Sequence, residues 1–492
     1  MHLGVKYGEL TLFGTDGRPA SSPQLQAADE SIQTIRGGLK AKLQPLGLTV
    51  LRRAGIRSGD AFILVVDNDR TSVACILGAM ILQCICTLVS KNRMNLIKYV
   101  KTHTGITRVL MVDDTTESVI VEDDVKATDP TNNAAANLWI RDEEIISKGC
   151  VCLLTSGSVG TPKVVLCTWN RMLLQGESTH QQLFPKRSAR IICSTSISHA
   201  FAINTIFALY TSPCDAQSEL CFSSSAVGIY KLLAQHSGLF KVLYATPGIY
   251  TALAMMPPTP LYADVSYCAG ARVCIPLFQK MRDDFGLILM QNYGSTETGN
   301  IAAWILNGTT LDTEIKNMDS NENVQYVGSL WPGVESQITD EGEIVIKTPW
   351  QSVGYVANCM LHRFYEAYHS SDLGIIIRYE NKIDHIWLYG RLRPEVEIEW
   401  QGQRMKFSPD KIEKVLLAHS QVTDALILVQ NETFRKQGII QARIVQDNRF
   451  GVIALDMKQW LIDRDMVPLC DSLLIELAEY LPCSPAGKLI YT

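Results

Sequence analysis

The run LLTSGSVGTPK, Leu153 to Lys163, leads an apolar, strand-like stretch into a loop holding Ser156, Gly157, Ser158, Gly160 and Thr161 and ending on Lys163. Glycines let such a loop turn backbone N–H groups inward, the hydroxyls add donors and the lysine adds charge, so a phosphate is the guest that suits it. It is not the Gly-x-x-x-x-Gly-Lys-Ser/Thr nucleotide loop, because SVGTP separates Gly157 from Lys163 and Val164 follows the lysine. Taken alone, the stretch has an ordinary Gly/Ser/Thr turn as its alternative reading.

Five further segments follow it in order: Asn292-Tyr293-Gly294-Ser295-Thr296-Glu297, Gly342-Glu343 through Gly354-Tyr355, Tyr368 to Asp372 (YHSSD), Gly390-Arg391, and Leu481 to Lys488 (LPCSPAGK). Each has a bland reading by itself. Asp372 would be a turn or cap residue, Tyr293 a core aromatic, Arg391 a solvated charge and Lys488 a flexible terminal lysine.

Taken together and in this order, the six segments resemble the adenylate-forming enzymes, which include acyl- and aryl-CoA synthetases, firefly luciferase and the adenylation domains of nonribosomal peptide synthetases. The family's phosphate loop reads approximately T-S-G-S/T-T-G-x-P-K, and only Val159 departs from it. The others resemble N-Y-G-x-T-E, G-E-L…G-Y, Y-x-T-G-D, the hinge-adjacent G-R and L-P-x-T-x-x-G-K, and the upstream AGIRSGDAFILVVDN is similar to the family's amino-terminal region. The resemblance implies that the loop from Thr155 to Lys163, with Ser156, Gly157, Ser158 and Gly160, holds the ATP β,γ-phosphates. Thr296 would contact phosphate and Glu297 would bind Mg2+, as a hard oxygen ligand suits that ion. Tyr293 would lie against adenine between Asn292 and Gly294, with Gly270 and Ala271 also lining that site, and Asp372 and Arg391 would hold the ribose. Lys488 would serve the first chemical step, where carboxylate attack on the α-phosphate builds negative charge. A preorganised donor there is worth roughly 2.7–4 kcal/mol.

The resemblance also places the acid pocket. His199 would border the acyl channel, with a packing role as its alternative, and Phe201, Asn204, Tyr244 and Ala302 are candidates for the wall. Amino-acid-activating members carry an early aspartate to pair with the substrate ammonium, and STSISHAFAIN has none. Burying an unpaired ammonium costs several kcal/mol, so an acid without an α-amino group, whether aryl, fatty or cyclic, is expected.

Beyond Arg391 the pattern departs from the family's: in GRLRPEVEIEWQG, Arg393 takes the hinge position, Pro394 follows it and Gly402 arrives late. Val396, Ile398 and Trp400 alternate with Glu395, Glu397 and Glu399, giving an apolar and an acidic face. That acidic face is either simply solvated or repels CoA phosphates and favours an amine acceptor. The expected activity is an ATP- and Mg2+-dependent acid ligase that forms acyl-AMP and transfers the acyl group to a thiol, either CoA or carrier-protein phosphopantetheine. The alternatives are an amide synthetase and a degenerate adenylate-binding protein.

The elements that must position these residues follow from the apolar runs. Ala61–Val66, Arg108–Val112, Cys150–Leu154, Arg190–Cys193, Lys241–Tyr244 and Val265–Cys268 read as strands, and helical spacing such as that over 226–235 separates them, so the fold class is α/β with helix-covered sheets. GEIVIKT at 342–348 and DHIWLYG at 384–390 predict a β-rich subdomain after about residue 330. From Arg391 onward a small, mobile carboxyl-terminal α/β domain is expected, giving domains of 1–392 and 393–492. The run Val73 to Val89 reads as one buried core helix, too short and too polar at Gln83 to span a membrane.

Composition narrows the classes. The chain has 492 residues, 47 % hydrophobic and 19 % charged, enough to bury more than one core. A net charge of −5 gives no excess of bases for nucleic acid or an anionic bilayer. The 14 cysteines include no Cys-x-x-Cys pair and read as reduced, buried thiols. The opening MHLGVKYGELTLFGTDG lacks the pattern of an export signal, so a cytoplasmic location is expected.

Overall fold

The computed structural model describes residues 2–6, 9–13, 32–122, 138–155, 162–271, 273–305, 325–378, 383–392, 396–400, 403–407, 409–419, 421–428, 440–446, 457–464, 466–470, 472–478 and 481. Of the sequence-derived candidates, Ser156, Gly157, Ser158, Gly160, Arg393 and Lys488 lie outside the described residues.

Two large sheets carry the chemistry. In an eight-stranded sheet, Ala61–Val66 pairs in parallel with Ile85–Ser90 and Val109–Asp113, and Ile85–Ser90 with Cys150–Leu154. Val164–Thr168 returns antiparallel beside Cys150–Leu154, and Gly354–Ala357 lies against it. In a twelve-stranded sheet, Ala189–Cys193, Glu219–Phe222, Phe240–Ala245, Val265–Cys268 and Leu289–Ser295 form a parallel core, which Gly299–Ile305 and later strands extend antiparallel. The strands beyond residue 330 thus join the edges of both sheets, Gly354–Ala357 on one and Tyr368–Arg378 and Asp384–Arg391 on the other.

Period-two alternation decides which way each strand faces. Val242 and Tyr244 enter a buried cluster that also holds residues of both sheets and of helices Gln44–Arg53, Arg70–Ile81, Trp169–Leu183 and Ala200–Thr211. Leu243 and Ala245 enter a second cluster with helices Ala226–Ala234, Pro247–Ala254 and Ile275–Phe285. A sheet covered on both faces needs near-continuous apolar strands, which is why these runs stood out in the sequence.

The run from Val73 to Val89 is corrected: it is two elements. The helix Arg70–Ile81 ends, Gln83 takes a left-handed turn at φ 51°, and Ile85–Ser90 continues as a buried strand. Apolar content alone does not separate a buried helix from a buried strand; the β-branched residues after Gln83 are what favour the strand.

Near the carboxyl end, helix Pro409–Leu417 packs with a sheet of Val422–Leu428, Ile440–Gln446 and Leu473–Ala478 around a cluster containing Ile412, Leu416, Ala442, Ile444 and Leu469. Among the described residues no helix is long and apolar enough to cross a membrane.

Candidate active site

The hairpin between Cys150–Leu154 and Val164–Thr168 brings the two ends of the glycine-hydroxyl loop together. Thr155 N–H donates to the Lys163 carbonyl at 2.9 Å, and Lys163 N–H donates to Thr155 Oγ1 at 3.2 Å. Tyr99 Oη donates to the Pro162 carbonyl. Because Gly354–Ala357 is the next strand over, with Tyr355 opposite Val165, the Tyr355 ring lies beneath Lys163 Nζ, 4.6 Å from its centroid.

Tyr355 also donates its hydroxyl to Glu297 Oε1 at 2.7 Å. Glu297, 8 % exposed, follows Thr296 in the turn joining Leu289–Ser295 to Gly299–Ile305. That turn is closed by Ser295 Oγ, which accepts from Thr298 N–H at 3.2 Å, and is tied to the segment before Gly354 where Ser352 Oγ donates to the Thr296 carbonyl at 3.0 Å. A Cβ on Gly294 would fall 2.3 Å from the Gly299 carbonyl oxygen, so a side chain there would open the turn.

Tyr293 donates its hydroxyl to Asp372 Oδ2 at 2.6 Å, and Arg391 Nε donates to Asp372 Oδ1 at 2.8 Å. Asp372 and Arg391 are register partners on neighbouring strands, which is how residues far apart in sequence meet. Tyr368 joins the two groups: its hydroxyl lies 3.3 Å from that of Tyr355, and it feels the charges of Glu297, Arg391 and Asp372. Burial first, then neighbouring carboxylates, pushes the phenols of Tyr293, Tyr355 and Tyr368 above their ordinary range, so all three stay protonated donors.

Lys163, Glu297, Asp372 and Arg391 therefore belong to one connected set of side chains. Gly270, at φ 106°, and half-buried Ala271 follow the carboxyl end of Val265–Cys268, the end at which open α/β sheets bind ligands. Asn292 is buried and donates to Asn300 Oδ1 at 3.3 Å. His199 is the half-buried N-cap of Ala200–Thr211.

The pocket candidates divide. Phe201 packs on Tyr244 at 5.1 Å between ring centroids, and Ala302, fully buried, is the register partner of Tyr293. Asn204 points elsewhere: its amide donates to Thr179 Oγ1 at 2.9 Å on helix Trp169–Leu183, and Asn300 donates to the same oxygen at 3.1 Å. The sequence reading missed the linking roles of Tyr355 and Tyr368, although both stand inside the segments it quoted. It also missed Tyr267, which meets Tyr244 through strand pairing, and Trp331, which meets the edge of Tyr267.

Among the described residues no group of three or more His, Cys, Asp or Glu could hold a metal ion. A cavity of about 690 Å3 bordered by Arg187, His236, Lys241, Tyr262 and Asp264 opens at the opposite, amino-terminal ends of the parallel strands. Its Lys241 ammonium already donates to the carbonyls of Leu233 and Gln235, and its Asp264 accepts from Tyr262 and the Lys241 N–H. It is distinct from the site around Tyr355.

A family model described as AMP-binding enzyme matches residues 49–356. 4-Coumarate–CoA ligase 1 of Petroselinum crispum is 22 % identical over 496 aligned residues, covering 89 % of this chain and 85 % of that protein. O-succinylbenzoate coenzyme A synthetase from Bacillus subtilis, solved with AMP, superposes with a TM-score of 0.62 at 16 % identity over 98 % of this chain and 94 % of that one. An amide bond synthetase from Marinactinospora thermotolerans superposes with a TM-score of 0.60 at 17 % identity over 96 % and 94 %. At such identities the superpositions establish a shared fold.

Proposed function

The chain belongs to the AMP-binding enzyme family of adenylate-forming enzymes, and from that premise we propose that it is an ATP- and Mg2+-dependent ligase of a carboxylic acid without an α-amino group, with a thiol as acyl acceptor. The observation that carries this reading is the placing of Lys163 and Glu297 on the same phenol, Tyr355, with the Tyr293–Asp372–Arg391 triad beside it. An ammonium and a carboxylate so arranged suit a metal-bound triphosphate. A carboxylate already held by a guanidinium and a phenol suits a pair of ribose hydroxyls, its remaining lone pairs accepting them.

The acid's carboxylate attacks the α-phosphorus, the bond to the bridging oxygen breaks and pyrophosphate leaves. The thiol sulfur then attacks the carbonyl carbon of the resulting mixed anhydride, the bond from that carbon to the phosphate oxygen breaks, and AMP leaves as the thioester forms and the thiol proton is lost. Lys163 neutralises the β,γ-phosphates, and Lys488 neutralises the charge that develops at the α-phosphate. Glu297 has one oxygen engaged by Tyr355 and would hold Mg2+ through the other; the ion would supply charge neutralisation along the triphosphate. We assign residues 1–392 to nucleotide and acid binding and 393–492 to a mobile domain carrying Lys488, a division supported by the separate buried cluster from Phe407 onward.

CoA or a phosphopantetheine thiol is favoured over an amine by the CoA-dependent ligases and synthetases among the chain's relatives. The amide reading draws on the shared fold with the amide bond synthetase.

The test is carboxylate-dependent pyrophosphate exchange across aryl, fatty and cyclic acids, followed by CoA, a pantetheinylated carrier and an amine panel supplied to the acyl-AMP, with products identified by mass. Absence of exchange with every acid would leave a nucleotide-binding protein without turnover. An amide as the sole product would replace the thiol.

A further inference from the structure

Tyr244 and Tyr267 are register partners on the adjacent parallel strands Phe240–Ala245 and Val265–Cys268, and both are fully buried, with ring centroids 4.9 Å apart. Half-buried Phe201, in the first turn of Ala200–Thr211, covers the pair, 5.1 Å from Tyr244 and stacked on Tyr267 at 5.7 Å. Trp331 meets the edge of Tyr267 at 6.3 Å and is 4 % exposed. Its backbone N–H donates to the Ile301 carbonyl, next to Ala302, and Ala302 is paired with Tyr293. The cluster therefore lies beside the nucleotide residues, on the sheet face that meets helices Trp169–Leu183 and Ala200–Thr211.

As packing alone, this arrangement is uneconomical. Tyr244 Oη, Tyr267 Oη and Trp331 Nε1 are all buried and none has a hydrogen-bond partner. Each buried polar group left unpaired costs about 1–3 kcal/mol, and phenylalanine would fill the phenol ring positions without that cost. The other tyrosines nearby do find partners: Tyr250 donates to the Tyr267 carbonyl at 3.4 Å and Tyr293 to Asp372. Three open donors in one aromatic cluster call for an acceptor.

The character of that acceptor follows from the surroundings. Burial raises both phenols far above their ordinary range, with Cys193 adding to it at Tyr244 and Tyr244 at Tyr267, so they donate in neutral form. Among the described residues no ammonium or guanidinium acts on them. A second carboxylate buried there would be unpaired, at a cost of several kcal/mol. A neutral oxygen meets no such penalty.

Building on the acid-ligase reading, we infer that Tyr244, Tyr267 and Trp331 form the distal end of the acid pocket, where they bind an uncharged hydroxyl, ether or keto oxygen of a flat acid lying against Phe201. The enzyme thereby selects oxygenated acids over their plain hydrocarbon counterparts. Phe201 is the ring whose rotation opens the two phenols to the acid.

The experiment uses matched acids, benzoic against 4-hydroxybenzoic and 3-phenylpropanoic against 3-(4-hydroxyphenyl)propanoic, in pyrophosphate exchange with the full chain and the Y244F/Y267F double variant. The expected result is a preference of at least about tenfold in kcat/KM for the oxygenated member of a pair. In the double variant that preference falls at least about tenfold through KM for the oxygenated acid alone. A double variant that slows both members equally, or an intact protein that prefers the hydrocarbon acids, overturns the inference. Absence of exchange with every acid would instead defeat the adenylation reading, and titration calorimetry with the same acids then decides the pocket. Tighter binding of the oxygenated acid that disappears in the double variant upholds it, and equal or absent binding overturns it.

Discussion

Tyr355 ties a cation and an anion to the same ring, and its two contacts can be separated. Tyr355→Phe keeps the ring beneath Lys163 and removes the hydroxyl donated to Glu297. A hydrogen bond to a charged group is worth about 1.5–3 kcal/mol, so exchange should slow by roughly 10- to 100-fold, with a higher Mg2+ concentration needed for half-maximal rate. An unchanged Mg2+ dependence would detach Tyr355 from the metal carboxylate. Lys488→Ala makes a different prediction: adenylation should fall by about 100- to 1,000-fold while ATP binding, read by calorimetry, persists. Unaltered adenylation would remove Lys488 from the mechanism. At this scale the sequence was informative about charged residues, because Lys163, Glu297, Asp372 and Arg391 each stand in a short segment of distinctive composition. It was silent about Tyr267 and Trp331, whose neighbours are brought together by the fold and not by sequence proximity.

The strand Tyr368–Arg378 shows how an element is shaped to present one carboxylate. Ser371, immediately before Asp372, has φ 59°, a left-handed value at which a β-carbon crowds the backbone. Glu343 holds that kink: its Oε1 accepts from Ser371 N–H at 2.8 Å and its Oε2 lies 2.8 Å from His369 Nδ1. Ser370 Oγ donates to the Ile344 carbonyl at 2.6 Å, and the Ser371 carbonyl accepts from Leu392 N–H at 2.6 Å. Left-handed geometry costs a non-glycine residue about 1–2 kcal/mol, and glycine's freedom in the unfolded chain gives back part of that. Ser371→Gly should therefore raise stability by up to about 1 kcal/mol, whereas β-branched Ser371→Val should lower it by more than that, both read in urea titrations. A stabilising valine would contradict the kink. Ser371 stands at the glycine position of the Y-x-T-G-D pattern that YHSSD resembles, but its conformation needed the fold. The same limit explains the run from Val73 to Val89, where uniformly buried helix and strand share one apolar composition and only the backbone at Gln83 divides them.

Across the whole molecule, distant elements are held by charge at the surface and by uninterrupted packing inside. Arg363 on the edge strand Met360–Arg363 pairs with Asp142 at 2.6 Å and Glu144 at 3.1 Å, fastening that strand to helix Glu143–Lys148. Partial burial pushes both carboxyls up, but Arg363, with Arg171 and Lys148 at Glu144, outweighs it and leaves them below their usual range. A carboxyl depressed in the fold stabilises above its unfolded value, near 4, and loses that contribution as pH falls through the folded value. Arg363→Met should thus lower the melting temperature at pH 7 and converge with the parent as the pH falls through the depressed folded values; a constant offset at every pH would mean that packing, not charge, was lost. Inside, the alternation read from the sequence as buried thiols corresponds to real core positions, since Cys75, Cys84, Cys86, Cys150, Cys152, Cys167, Cys193, Cys221 and Cys268 are all buried. Burial pushes the thiols of Cys75, Cys84, Cys167 and Cys193 up to about 12. At pH 8 only about one such thiol in ten thousand is the reactive thiolate, before access is considered. A chromogenic disulfide reagent added to the native protein at pH 8 should therefore titrate rapidly no more than Cys274, Cys214, Cys359, Cys470 and Cys483, the last lying outside the described residues, and should reach the other nine only in denaturant. Rapid native labelling of any core cysteine, located by peptide mass, would show that the sheets open on the reagent's timescale and that the packing described between them is not persistent.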